Sequence, residues 1–137
     1  MGMAIDDQGE LRVSTPFPYE EALERTKAAL KEQGFGVLSE IHIDQALKEK
    51  IGVDFRRYTI LGACNPTLAH QALQQEVEIG LRLPCNTIVY PEGANTVVSV
   101  MDPMVALGQV DIPTLRPVAE QARAKLVAAV DALRAAR

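Results

Sequence analysis

The pattern of hydrophobic and polar positions divides the first third of the chain into strand, helix and strand. Residues 10–17 alternate apolar and polar side chains and predict a short strand that ends at the prolines. Residues 18–33 repeat apolar side chains at helical spacing, and Gly34 is expected to end that helix. The alternation over residues 36–43 then predicts a strand with one face in solvent.

The rest of the chain continues this mixture of elements. A nearly continuous apolar run is typical of a strand covered on both faces, and a capping residue followed by proline is typical of a helix start. The final helix has a broad alanine-rich stripe that favours close packing on a sheet or on a second copy. The predicted elements are a surface helix at 44–52, a covered strand at 58–64, a helix at 66–76, a hairpin at 86–101, a short helical piece at 103–108 and a long helix capped by Thr114.

Length and composition predict one folded domain. The chain has 137 residues, of which 47% are hydrophobic and 23% charged, and this is the balance of an ordinary globular protein. We expect a single domain over residues 1–137, with a flexible extension at 1–9 and the core at about 10–134.

Charge and hydropathy argue against nucleic acid and membranes as partners. The net charge is -4 and no long run of Lys or Arg is present. The N-terminal segment lacks the pattern of a signal peptide, and no apolar segment reaches the length of a membrane span. A cytoplasmic protein with reduced cysteines is therefore expected.

The candidate chemistry lies in two Cys-Asn pairs, which contain both cysteines of the chain. Cys64-Asn65 precedes a predicted helix, whose N-terminus could lower the pKa of the Cys64 thiol. Cys85-Asn86 opens a predicted strand, where the Asn86 amide could donate to a sulfur atom. If the two strands are neighbours, the thiols could lie close together and form a ligand or thiol site. Both cysteines are also weak candidates for binding a soft metal ion, which a dimer could hold between thiolates of two chains.

Simpler interpretations of the same residues remain open. Free cysteine is often buried as a small inert hydrophobe, and asparagine commonly caps helices or forms turns. A zinc site needs about four ligands, whereas His42 and His70 are expected to be solvated. Met101 and Met104 could join a soft ligand set or an apolar pocket. No complete catalytic constellation is visible, so a classical enzyme is not the favoured interpretation and no cofactor is strongly implied.

Several longer motifs resemble one protein family. The segments GFGVLSEI, KEKIGVDF, ILGACNPTLAH, EIGLRLPCN and MDP occur in this order. Together they are similar to the domain of unknown function 302 family over about residues 10–134, and GACNP followed by IGLRLPCN is the most specific part. The resemblance implies an α+β fold, with helices on one side of a small antiparallel-rich sheet, and a homodimer. It assigns no activity. The positions that match the family's cysteine motifs are Cys64, Asn65, Pro66, Pro84, Cys85 and Asn86.

The sequence therefore predicts a small cytosolic homodimer that binds a ligand or soft metal, or acts as an accessory module, around Cys64, Asn65, Cys85 and Asn86. One alternative is a thiol-based redox or sulfur-carrier enzyme, in which one cysteine attacks and the other resolves. Another is a structural protein whose cysteines are buried and inert.

Overall fold

The computed structural model describes residues 9–108 and 110–136. The predicted flexible extension at 1–9 lies outside this range except for Gly9. In chain order the elements are β1 (Arg12–Thr15), α1 (Tyr19–Glu32), β2 (Gly36–His42), α2 (Ile43–Ile51), β3 (Thr59–Cys64), α3 (Pro66–Gln75), a 3-10 helix (Val77–Arg82), β4 (Cys85–Glu92), β5 (Asn95–Val100), α4 (Pro103–Gly108), a 3-10 turn (Pro113–Leu115) and α5 (Arg116–Ala135).

The described strands form one five-stranded antiparallel sheet in the order β1-β5-β4-β3-β2. Helices α1 and α5 pack against each other and against this sheet, and α3 and α4 pack against α5. The predicted α+β class is therefore confirmed. None of the described helices has the combination of length and apolar character needed to cross a bilayer.

Helix α5 is the main support of the core. Its predicted apolar stripe is buried throughout, with Leu126 fully enclosed, and the helix packs on the sheet of its own chain. The predicted cap at Thr114 is wrong, because the helix begins at Arg116 after a 3-10 turn. The Thr114 hydroxyl instead donates to the side chain of Gln75 at the end of α3.

The turn after α1 follows the prediction. Gly34 has a positive φ of 82°, which favours glycine. Its amide donates to the Lys31 carbonyl at 2.9 Å, and the Phe35 amide donates to the Leu30 carbonyl at 2.9 Å. These two bonds are the Schellman pattern that ends many helices. The turn carries the chain back under the sheet, where Phe35 is buried with 2% of its surface exposed.

The predicted hairpin is confirmed, with a shorter turn than expected. β4 and β5 pair as far as Glu92 and Asn95, which leaves only Gly93 and Ala94 in the loop. Gly93 adopts a positive φ of 62°, as two-residue hairpin turns require at such positions.

The strands near the β2 edge are more exposed than their sequences indicate. β2 has only β3 as a neighbour, and Leu38 and Ile41 are 72% and 47% exposed. β3 buries Thr59, Leu61 and Ala63, but the alternating Ile60 on its other face is only half-buried, so the expected cover on both faces is incomplete. Helix α2 buries no residue, as predicted for a surface helix. On α3, Leu73 is exposed.

A chain of polar side chains ties the edge strand β2 to α1. The Glu40 carboxylate lies 2.6 Å from Lys27 Nζ and 3.1 Å from His42 Nε2. His42 Nδ1 lies 3.1 Å from Thr59 Oγ1, which also bonds the Tyr19 hydroxyl. The expectation that His42 is merely solvated is therefore wrong, because both ring nitrogens have protein partners. The alternation of apolar and polar residues placed His42 on the strand. It could not indicate the contacts of this network with α1, which is a separate element of the fold.

Two fully buried threonines on neighbouring strands give a matched test of this network. Thr59 and Thr87 are each 0% exposed, but Thr87 Oγ1 is a buried side-chain atom without a hydrogen-bond partner among the described residues. Thr59→Val should cost about 1–3 kcal/mol because it leaves the Tyr19 hydroxyl and His42 Nδ1 unsatisfied. Thr87→Val should be neutral or stabilising, since it removes an unsatisfied group. Urea unfolding of both variants checks this, and equal costs would contradict the assigned network.

Candidate functional site

The two cysteines meet at one end of the sheet. Cys64 is the last residue of β3 and Cys85 is the first residue of β4. These strands are hydrogen-bonded neighbours in a register that pairs Ala63 with Cys85, so Cys64 lies one position beyond the residue opposite Cys85. Both are free thiols in the described chain. The sequence predicted that the thiols could lie close together if β3 and β4 were neighbours, and these strands are neighbours.

Both cysteines line the same small cavity under the end of the sheet. Its volume is about 30 Å³, which is room for one or two molecules the size of water. Phe35, Leu68 and Leu107 contribute apolar walls. Because α3, α4 and α5 all supply lining residues, the cavity is set by the packing of these helices against the sheet.

Asn65 has a structural role beside this cavity, which it also lines. Its Oδ1 accepts a hydrogen bond of 3.1 Å from the Leu68 amide and so caps α3, with Pro66 in the first turn. A Cβ atom on Gly34 would lie 3.0 Å from Asn65 Nδ2, so the end of α1 and the start of α3 approach closely here. The predicted helix cap is confirmed.

Pro84 also lines the cavity, and it lies close to β3. The Leu83–Pro84 peptide bond is cis, and Pro84 lies so near Gly62 that a Cβ there would be 2.8 Å from Pro84 Cγ. The Ser39 side chain of β2 would meet the same added atom. Glycine at position 62 therefore lets the segment leading to Cys85 lie directly on the sheet.

Asn86 is the one predicted site residue that does not line the cavity. It follows Cys85 in β4, so its side chain lies on the opposite face of the sheet, where it is exposed. Its main-chain carbonyl accepts a hydrogen bond of 2.9 Å from the Met101 amide. Any residue could supply that carbonyl, so Asn86 fixes the position of Met101 through the backbone and not through its amide group.

Two further residues complete the site. Met101, which follows β5, also lines the cavity. Arg82, at the end of the 3-10 helix, also lines it and donates from Nη1 to the Ala106 carbonyl at 2.9 Å. The sequence indicated both Met101 and Met104 as candidate soft ligands, but Met104 does not line this cavity. It did not indicate Arg82, whose position depends on the packing of α4. His70 is exposed on α3 and does not line the cavity.

Burial keeps both thiols in the protonated form. It raises the pKa of Cys64 above its ordinary value. For Cys85, burial together with the nearby Cys64 raises the pKa to about 11. The expectation that the start of α3 lowers the pKa of Cys64 is wrong, because desolvation by burial raises this pKa. Within the described residues, no group of three or more His, Cys, Asp or Glu side chains could hold a metal ion.

The architecture thus defines a class: an antiparallel sheet supported by helices on one face, with two thiols at an apolar cavity. The sequence profile described as "Domain of unknown function DUF302" matches residues 11–133. The chain belongs to the DUF302 family. It is similar to the crystal structure of an uncharacterized conserved DUF302 protein from Bacillus stearothermophilus, with 33% identity, a TM-score of 0.83 and coverage of 90% of this chain and 96% of that one. The search of curated proteins gave no significant match.

The raised thiol pKa values predict slow alkylation of the native protein. Relative to a thiol of pKa 9.0, a pKa of about 11 lowers the thiolate fraction of Cys85 near pH 8 about a hundredfold. Its reaction rate should keep rising with pH well above 9, and Cys64 should react before Cys85. Iodoacetamide labelling resolved by peptide mass, native and in urea, measures this. A midpoint below pH 8 for either cysteine would contradict the protonated state of the site.

Proposed function

We propose that this protein is a cytoplasmic binding or accessory module that holds a small ligand or a soft metal ion at Cys64 and Cys85. The observation that carries the proposal is that both cysteines are among the residues that line one apolar cavity. Asn65 supports the site as the cap of α3, and Asn86 supports it through its main-chain bond to Met101.

The two alternatives fit these contacts less well. A thiol enzyme needs a stabilised thiolate, whereas burial raises the pKa of both cysteines. A purely structural role explains burial, but it gives no reason for two thiols to share a cavity with a third sulfur-containing residue. A binding module accounts for both features, because soft ions displace thiol protons that are otherwise firmly held.

Silver(I), a soft probe ion, tests the proposal. The native protein should bind one equivalent, and Cys64→Ser and Cys85→Ser should each abolish this uptake because each removes one of the two thiols. Isothermal titration measures binding, and native mass spectrometry gives the stoichiometry.

Folding must be followed in parallel, since a buried serine hydroxyl costs about 1–3 kcal/mol if its partners are poor. Circular dichroism and urea unfolding provide this control. Unchanged uptake by both folded serine variants would refute the binding module.

We further propose that the protein is a homodimer, as the family resemblance implies. Support comes from the β2 edge strand and the neighbouring helix α2 and loop. Edge strands have unpaired backbone groups on one side, and a second copy could cover them. The exposed apolar side chains of this region are Leu38, Ile41, Ile51, Val53 and Phe55, with 44% to 72% of their surface accessible.

Charge placed in this apolar region should disrupt the dimer. Ile41→Lys is expected to shift sedimentation at low micromolar concentration towards monomer, because it buries a cation in the contact. Leu81→Lys is the matched control, since Leu81 is 85% exposed on the 3-10 helix after α3. A wild-type protein that sediments as a monomer, or equal effects of both variants, would contradict the assignment.

A further inference from the structure

We propose that His42 is a proton-sensitive switch between helix α1 and the edge of the sheet. It stands in the middle of a chain of hydrogen bonds that is complete only while its ring is neutral. The members of this chain, in order, are Tyr19 of α1, Thr59 of β3, and His42 and Glu40 of β2. None of them lines the cavity of the cysteines, so the switch is separate from the proposed binding site.

The contacts along the chain are direct. The Tyr19 hydroxyl bonds Thr59 Oγ1, and the same oxygen lies 3.1 Å from His42 Nδ1. On the other side of the ring, His42 Nε2 lies 3.1 Å from Glu40 Oε2. Thr59 is 0% exposed and Tyr19 is 8% exposed. The two hydroxyls have no further hydrogen-bond partner among the described residues, so they depend on each other and on the ring.

The Glu40 carboxylate sets the direction of the chain. Lys27 Nζ lies 2.6 Å from Glu40 Oε1, and this contact lowers the pKa of Glu40. An ionised carboxylate only accepts hydrogen bonds, so Nε2 of His42 carries the ring hydrogen and Nδ1 of the neutral ring is an acceptor. Thr59 therefore donates to Nδ1, and its oxygen accepts from the Tyr19 hydroxyl. All hydrogen bonds of the chain then run from Tyr19 towards Glu40.

A second proton on the ring destroys this match of donors and acceptors. With a neutral ring, two hydroxyl hydrogens serve two contacts, Tyr19 to Thr59 and Thr59 to His42. A proton on Nδ1 brings a third hydrogen to the same two contacts, so one hydroxyl hydrogen loses its acceptor. A buried donor without an acceptor costs free energy. The attraction of the charged ring to Glu40 acts in the opposite direction, but it does not depend on Thr59.

Mildly acidic pH is the range in which the switch operates, because histidine ordinarily changes its charge there. Lys27 lowers the pKa of Glu40, so the carboxylate stays ionised across this range and loses its charge only at lower pH. Burial raises the pKa of Tyr19, which therefore keeps its hydrogen. The other charged groups that face the chain are Asp44 on α2 and Arg57 before β3, both near Tyr19. They are the same in every variant compared below.

The pH dependence of the effect of Thr59→Val tests the switch. Without the hydroxyl, proton uptake by His42 breaks no further contact. The factor by which Thr59→Val raises the unfolding equilibrium constant should therefore be greatest at pH 8 and fall at least about fivefold by pH 5. Urea unfolding measures this factor, and titration of the unfolded chain cancels because it is common to both proteins.

Thr15→Val is the matched control for this experiment. Thr15 is 1% exposed, and its hydroxyl donates at 2.9 Å to the main-chain carbonyl of Thr96, which does not titrate. Its effect on the unfolding equilibrium constant should be the same at both pH values. A constant factor for Thr59→Val would overturn the switch. An equal fall for both variants would overturn it too, because the pH effect would then be general to buried threonines.

Nitrogen NMR of the His42 ring gives a second readout on the wild-type chain. At pH 8 the ring should carry its hydrogen on Nε2 alone, because the Glu40 carboxylate accepts from that atom. His70, exposed on α3, serves as the internal reference. A hydrogen on Nδ1 of His42 at pH 8 would reverse the direction of the chain and overturn the proposal, even if Thr59→Val does not fold.

Discussion

The antiparallel pairing of β3 with β4 is the constraint on which the rest of the site depends. It joins segments that are distant in sequence, and its register opposes Ala63 to Cys85 at the end of the sheet. The same register brings Pro84 onto Gly62, and this close contact requires the absence of a Cβ atom. Helices α3 and α5 then close the space below. The cavity is thus a consequence of strand register and core packing, not of a specialised loop.

Desolvation determines which chemistry this arrangement can support. An apolar wall around two adjacent thiols penalises a lone negative charge, and the second thiolate is opposed by the first. Nucleophilic catalysis near neutral pH would need a lowered thiol pKa, whereas burial raises the pKa of both cysteines. A cation that binds both sulfurs removes this penalty, since it neutralises the charges where they form. The features that make these cysteines poor nucleophiles therefore agree with the proposed binding of a soft ion.

Local sequence predicted the elements and the cysteine neighbourhood well, because their signals are short-range. Gly34 ends α1 and Asn65 caps α3 through contacts within a few residues. The predictions that were wrong or incomplete concern residues whose contacts are with segments distant in sequence. The pKa of Cys64 depends on burial, and Thr114 bonds Gln75 instead of capping its own helix. Arg82 could not be assigned to the site because its contact with α4 arises only from tertiary packing.

The edge strand β2 links the proposed interface to the proposed site. Its first residue, Gly36, pairs with Cys64, and Phe35 immediately before it forms part of the cavity wall. Glu40 and His42, further along the strand, are tied to α1 and β3 by the polar network. A partner that covers β2 would therefore restrict a strand whose other end borders the thiols. Because a rigid site loses less entropy when it binds an ion, dimerisation at this edge and occupancy of the cavity should favour each other.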